Sequence, residues 1–261
     1  MPRQGGHMSA LVRQIISTRS GLWLGFYAVV LLAWWAMFEM ARGGSGIGGS
    51  EHIRMLPHGG FWALMPMWAV MIAAMMLPTI VPMLRTYSDL PASSGANTSG
   101  WIGIVAGYAL VWLLAAAGFA GVQVVALNNG VIEMTGVLAS PWASAALLAV
   151  AGVWQFSRTK TTCQNVCLTP MQSFMARWQP GLNGGIRIGV GAGVACVGCC
   201  WAIMSLAFVG GVMNLLWMGL ATLFMVAEKL PEIGMALRRP AGVSLLGAAV
   251  ATAIGSGAGI F

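Results

Sequence analysis

Long apolar segments follow one another along almost the whole chain, with short polar connections between them. A helix needs about 20 apolar residues to cross the roughly 30 Å hydrocarbon core of a bilayer. That rule predicts seven spans, at residues 21–40, 61–84, 101–127, 141–157, 187–209, 212–230 and 241–261. Because backbone polar groups in lipid must be paired within the segment, the spans should be α-helices. The predicted fold is therefore an all-α polytopic transmembrane helix bundle, a single domain over residues 1–261.

The charged residues support this fold and predict its orientation. Only 7% of the chain is charged, against about 25% in soluble domains, so a water-exposed surface is excluded. With the N-terminus inside, the inner segments hold eleven of the 13 Lys and Arg residues, and only Arg42 and Arg54 lie outside. This bias predicts a multi-pass protein of the cytoplasmic (inner) membrane with a cytoplasmic N-terminus. The net charge of +7 then reflects topology and lipid headgroup contacts, and no nucleic acid partner is expected.

The connection after the fourth span contains a second helical pattern. Apolar residues recur at i, i+3, i+4 and i+7 near residues 169–180, namely Met171, Phe174, Met175 and Trp178. Thr169 can cap such a helix and Gly181 follows its end. The pattern predicts an amphipathic helix that lies on the inner leaflet. In the spans themselves, small-residue pairs predict close helix packing, at Gly103, Gly107, Gly189 and Gly193.

Three cysteines occupy five positions of the fifth span, in "ACVGCCWAIM". Cys196 lies nine residues into the span, roughly 13 Å below the inner surface and near the midplane. Cys200 follows it on the same helix face, Met204 extends that line by one more turn, and Cys199 borders it. The face therefore presents thiols and a thioether in one column. The alternative interpretation is that the cysteines only fill space, as small buried residues do.

The second span adds thioethers at helical spacing. Its methionines one turn apart are Met67, Met71 and Met75. Pro78 and Pro82 should kink or break the inner end of this helix, with neighbouring groups pairing the freed carbonyls. Met71 and Met75 lie near the depth of Cys196, so the two stripes are expected to converge, although such stripes also serve packing. Thiolate and thioether together favour Cu(I) or another soft ion, whereas zinc more often brings histidine or four thiolates.

Further polar residues accompany these sulfurs. Cys163 and Cys167, in "CQNVC", lie four apart at the inner surface and can chelate a soft ion, form a disulfide in some geometries, or be incidental. Glu228 is expected to point into the bundle as a proton carrier or hydrogen-bond partner, and Lys229 is expected to snorkel to the interface. Asn214 either holds the short outer connection or faces a pathway.

Four sequence blocks carry a family resemblance: "WAVMIAAMMLP" (68–78), "CQNVCLTP" (163–170), "CVGCCWAIM" (196–204) and "MNLLWMGLATLFMVAEK" (213–229). Their order and spacing resemble bacterial proteins described as predicted metal-binding integral membrane proteins, over roughly residues 60–230. The resemblance implies a bacterial inner-membrane protein that binds metal. Matching positions are Met71, Met75, Met76, Cys163, Cys167, Cys196, Cys199, Cys200, Met204, Met213, Asn214, Met218 and Glu228.

These observations predict a soft-metal binding protein of Cu(I) type that transports or delivers the ion. The mid-membrane cysteines and methionines would hold the ion, and the cytoplasmic pair would exchange it with a metal carrier or a membrane enzyme. The chain lacks a phosphate-binding loop, which argues against a primary pump. Two alternatives remain open: a membrane thiol–disulfide oxidoreductase, and an accessory subunit of a larger membrane complex.

Overall fold

The structure, a computed structural model, describes residues 5–42, 56–91, 94–133, 135–212, 214–230 and 232–257. This part of the chain is helical, without a β-strand. Its α-helices in chain order are α1 (Gly5–Ala41), α2 (Leu56–Met76), α3 (Val81–Ser88), α4 (Thr98–Asn128), α5 (Pro141–Gln155), α6 (Arg158–Leu168), α7 (Pro170–Arg177), α8 (Gly181–Ser205), α9 (Ala207–Gly210), α10 (Leu215–Ala227) and α11 (Gly234–Gly257).

The predicted helix bundle is confirmed. Five segments are long and apolar enough to cross a membrane: Arg19–Ala41, Gly60–Ser88, Thr98–Asn128, Gly181–Gly210 and Gly234–Gly257. They correspond to five of the seven predicted spans. The other two predicted spans contain α5 and α10, of 15 and 13 residues. At 1.5 Å per residue these helices are only about 20 Å long, so the count of seven stays a prediction. The last residues of the predicted seventh span, 258–261, lie outside the described residues.

Helices α4 and α8 pack along each other, and glycine permits their close approach. A methyl group at Gly107 would collide with the main chain at Ile186, and one at Gly189 would collide with the carbonyl of Ile104. Gly103 meets the α8 main chain in the same way. The predicted small-residue packing is confirmed, and it places the cysteines of α8 inside the bundle.

Proline ends α2 as the sequence predicts. Pro78 has no N–H to donate to the carbonyl of Ala74, and the Trp34 indole of α1 donates to that oxygen instead, at 3.1 Å. A single 3-10 turn, Pro78–Ile80, joins α2 to α3. The carbonyl of Met76 accepts hydrogen bonds from the Thr79 hydroxyl at 2.8 Å and the Tyr108 hydroxyl at 3.1 Å. The break therefore brings two hydroxyl groups together inside the bundle.

A helix also forms where the amphipathic pattern predicts one, but its apolar residues divide into two sets. Phe174 is buried, and its ring centroid lies 6.1 Å from that of Tyr87 and 6.2 Å from that of Trp178. Met171 and Met175 are exposed. These rings thus attach α7 to α3, because aromatic side chains bury a large apolar area when they pack against one another. Contact of α7 with the inner leaflet stays a prediction.

Candidate metal centre

The three cysteines of α8 form one cluster of sulfur atoms. The Sγ atoms of Cys196, Cys199 and Cys200 all lie within 4.8 Å of one another, and all three residues are buried. Cys199 Sγ lies 3.2 Å from Cys200 Sγ and donates to the carbonyl of Cys196 at 3.2 Å. The i, i+3 and i+4 spacing places the side chains on one side of the helix, and none of them forms a disulfide. The arrangement offers three soft ligands within a space suited to one ion.

A lysine ammonium group lies directly beside this cluster. Lys229 Nζ donates to Cys196 Sγ at 2.6 Å and to Thr79 Oγ1 at 3.2 Å, and the side chain is 3% exposed. The expectation that Lys229 snorkels to the interface is therefore wrong. Lys229 continues the buried face of α10 after Met225, so its side chain extends into the bundle, where a sulfur and a hydroxyl accept its hydrogen bonds.

Two hydroxyl groups complete the surroundings of Cys196. Its Sγ lies 3.0 Å from the Tyr108 hydroxyl and 3.8 Å from Thr79 Oγ1, and the two hydroxyl oxygens are 2.7 Å apart. Tyr108 is buried. A buried charge must be paired and hydrogen-bonded. The Lys229 ammonium and the Tyr108 hydroxyl can do both for the thiolate form of Cys196. This network joins α4, α8 and the turn after α2.

A second buried ion pair lies next to the first lysine in sequence. Lys160 Nζ is 2.8 Å from Glu228 Oε1 and 2.9 Å from Oε2, and both side chains are buried. Gln164 Nε2 donates to the Glu228 carbonyl at 2.7 Å. These contacts attach α6 to the end of α10 and so fix where the chain turns at Lys229. Glu228 points into the bundle, where Lys160 is its partner.

The Cys163 and Cys167 thiols lie on α6 in different surroundings. Cys167 lies near Cys199 and Lys229. Cys163 lines an open groove of about 760 Å³ together with Arg187, and its sulfur occupies the space that a methyl group at Gly198 of α8 would need. Burial, and then the nearby Cys167, raise the pKa of Cys163. The sulfurs thus extend from the buried cluster toward a groove.

The methionines predicted to join the site are distributed differently. Met75 and Met204 are buried in the core. Met71 lines a separate small cavity among other methionines. The second and fifth predicted spans do meet. At the cysteine cluster, however, the second span contributes Thr79, which contacts Cys196, whereas the sequence predicts methionines there. A ligand role for these methionines stays a prediction.

Asn214 has a local structural role, and Met213 lies outside the described residues. The Asn214 side chain accepts a hydrogen bond from the backbone N–H of Trp217 at 3.2 Å and donates to the carbonyl of Gly210 at 3.1 Å. It thereby caps the N-terminus of α10. Of its two predicted roles, the structure shows that of holding the connection.

Sequence reasoning missed the contacts of four buried polar residues: those of Thr79, Tyr108 and Lys229 with Cys196, and that of Lys160 with Glu228. For Lys229 a signal was present, because Met218, Thr222 and Met225 precede it at helical spacing and define one face of α10. A lone tyrosine or threonine in an apolar helix carries no comparable signal.

Comparison with known proteins adds a family to this geometry. A protein-family model named PpoB2 and described as "Copper chaperone" matches residues 65–252. Searches of curated proteins and of solved structures found no match. The matched region contains all five cysteines and both buried lysines. The match therefore supports a metal-related domain.

Proposed function

The chain belongs to the PpoB2 copper chaperone family, and on that premise we propose that it carries Cu(I) within a membrane. The ion is held by Cys196, Cys199 and Cys200 and is passed by ligand exchange to a metal carrier or a membrane enzyme. The observation that carries the proposal is the buried cluster of three thiols beside an ammonium group. The membrane is the cytoplasmic one, and Cys163 lies toward the cytoplasm, as the distribution of Lys and Arg predicts.

The charges of the cluster suit a monovalent ion. Cu(I) bound by two of the cysteines as thiolates and the third as a neutral thiol has a net charge of −1, and the ammonium of Lys229 brings the site to zero. A divalent ion would reach neutrality beside the lysine only with all three cysteines as thiolates, and ionising a third buried thiol is costly. Thiolate ligands also suit Cu(I) and disfavour hard ions such as Mg²⁺ and Ca²⁺. Charge and ligand type thus favour the same metal.

Cys167 provides the next step of the proposed transfer. Its position near Cys199 lets a fourth thiol approach the ion before one of the first three releases it. Cys163 lies one helical turn away on α6 and lines the groove, where a soluble carrier can reach it. Each step exchanges one sulfur ligand of Cu(I) for another, so the ion does not change its oxidation state. Met204, Met71 and Met75 are further candidate ligands deeper in the bundle.

Metal analysis of the purified protein tests the proposal. After anaerobic incubation with Cu(I) and desalting, the wild type should retain copper, with the ultraviolet absorption of Cu(I)–thiolate bonds. The Cys196→Ser/Cys199→Ser/Cys200→Ser variant should lose the thiolate-bound ion. Cys163→Ser is the matched control: it should retain the ion but release it more slowly to a soluble carrier. A triple variant with full thiolate-bound occupancy would refute the proposed site.

The same samples separate the two alternative functions. Alkylation with and without an oxidant, followed by mass spectrometry, reports whether the α8 cysteines cycle between thiol and disulfide. A redox-dependent shift without bound copper would favour an oxidoreductase. A fixed protein partner that co-purifies without metal would favour an accessory subunit.

A further inference from the structure

A second group of soft ligands lies apart from the cysteines, at a small cavity of about 10 Å³. That volume is close to what one water molecule occupies. Five methionines line the cavity, namely Met37, Met40, Met67, Met71 and Met218, together with Val212 and Leu215. All five methionines are buried. Among the described residues, none that lines the cavity is charged or a histidine.

Three separate helices supply these thioethers. Met37 and Met40 come from α1, Met67 and Met71 from α2, and Met218 from α10. Met67 and Met71 are one turn apart, as helix packing alone would also require. The two methionines of α1 lie outside the region that the family model matches. The convergence of five thioethers from three helices on one cavity is therefore a property of the whole chain.

The composition of the cavity selects its ligand. A thioether is neutral, polarizable and soft, so it binds Cu(I) and discriminates against Mg²⁺ and Ca²⁺, and methionine is not among the usual ligands of Zn²⁺. It needs no deprotonation, unlike a thiol, and it binds the ion less tightly than a thiolate does. A site built only of thioethers is suited to reversible loading.

Buried side chains of α10 lead from this cavity to the cysteine cluster. On α10, Met218 is followed at helical spacing by Thr222, Met225 and Lys229, all buried. The eleven residue steps from Met218 to Lys229 correspond to about 16 Å along a helix. On α8, Met204 continues the face of Cys200 by one turn. The α10 face thus has Met218 at the cavity and, at its other end, Lys229, which donates to Cys196 Sγ.

We propose that the methionine-lined cavity is a second Cu(I) site, weaker than the cysteine cluster, from which the ion is exchanged with that cluster. The proposal rests on the proposed function for the identity of the cargo. It assigns to α1 a share in metal binding, through Met37 and Met40. The transfer exchanges thioether ligands for thiolates while copper remains Cu(I).

Titration with Cu(I) in competition with a chromophoric Cu(I) chelator tests this site, with X-ray absorption to identify the ligands. The wild type should bind two ions, the weaker one with only thioether sulfurs. The Met37→Leu/Met40→Leu/Met218→Leu variant should lose the weaker ion and retain the tight one. Leucine nearly conserves the volume of methionine, so the fold should persist, which the melting temperature in detergent checks. The matched control, Met175→Leu/Met235→Leu, changes two exposed methionines and should bind two ions.

The outcomes distinguish this proposal from the proposed function. The Cys196→Ser/Cys199→Ser/Cys200→Ser variant should keep the weaker, thioether-bound ion. If that variant still held two ions, the cysteine site would be refuted while the methionine site stood. One ion in the wild type, or two in the methionine variant, would overturn the second site. Loss of both ions from the methionine variant at an unchanged melting temperature would mean a single shared site and would also overturn it.

Discussion

Replacement of Lys229 by methionine tests the charge balance of the copper site. The substitution removes the ammonium that lies 2.6 Å from Cys196 Sγ and leaves a flexible apolar side chain in the same space. Cu(I) with two thiolates would then have an uncompensated charge of −1 in the bundle. We therefore expect Lys229→Met to bind Cu(I) more weakly than the wild type.

The Coulomb energy gives an upper limit for the loss of Cu(I) affinity, and metal-ligand partners in general give its expected size. At 2.6 Å and an effective dielectric constant of about 20, the Coulomb energy of two unit charges is about 6 kcal/mol. Dehydration of the ammonium and the thiolate offsets most of that energy. Partners of metal ligands typically change affinity by about 10- to 100-fold, which corresponds to about 1.4–2.8 kcal/mol. We expect the loss for Lys229→Met to fall in this range.

Competition with a chromophoric Cu(I) chelator in detergent measures the loss directly. Lys229→Arg is the matched control: it keeps the positive charge and should bind more tightly than the methionine variant. The melting temperature of each apo protein shows whether the fold survives. A folded Lys229→Met protein with wild-type affinity would refute the reasoning that the lysine compensates the charge of the site.

Three further predictions concern the surroundings of the site. Lys160→Met leaves Glu228 buried without its partner and should lower the free energy of unfolding by about 3–5 kcal/mol. The double variant Lys160→Met/Glu228→Leu should recover much of that loss, and a double variant as unstable as Lys160→Met would contradict the prediction. Gly189→Ala should destabilise the bundle by about 1–3 kcal/mol, because its methyl group meets the α4 main chain, whereas the control Gly118→Ala has open space around it and should not. Equal melting temperatures of the two variants would contradict this prediction, because they would show that α4 and α8 can move apart at no cost. Alkylation of Cys163 requires the thiolate, so its raised pKa predicts slow modification near pH 8 and a midpoint of the rate against pH above the value of about 8.5 for a free cysteine. Peptide mass spectrometry over a pH series measures that midpoint, and a value below about 8.5 would contradict the raised pKa.

Much of the fold follows from patterns within single segments. The apolar runs predict the helices, the proline pair predicts the end of α2, and the glycines predict that their helices pack closely against a neighbour. The spacing of Cys196, Cys199 and Cys200 likewise predicts one sulfur cluster, because all three lie on one helix. Each of these features depends on residues close together in sequence, where helical periodicity determines their relative positions.

The partners of the cluster could not be predicted in this way. Lys229 meets Cys196 across 33 residues, and Tyr108 meets it across 88. Whether a side chain at a helix end turns to the interface or to the interior depends on the acceptors that other helices offer there. The amphipathic pattern of α7 likewise did not show which of its apolar residues would be covered.

The sequence alone determined that this chain is a bundle of membrane-type helices with a thiol cluster on one of them, because chain-local periodicity and composition decide those properties. Only the tertiary structure decided that a buried lysine lies beside Cys196, that Cys167 lies near Cys199, and that methionines of three helices line one cavity. The physical reason is that the rotation and depth of each helix result from packing against all its neighbours, and no single segment contains that information.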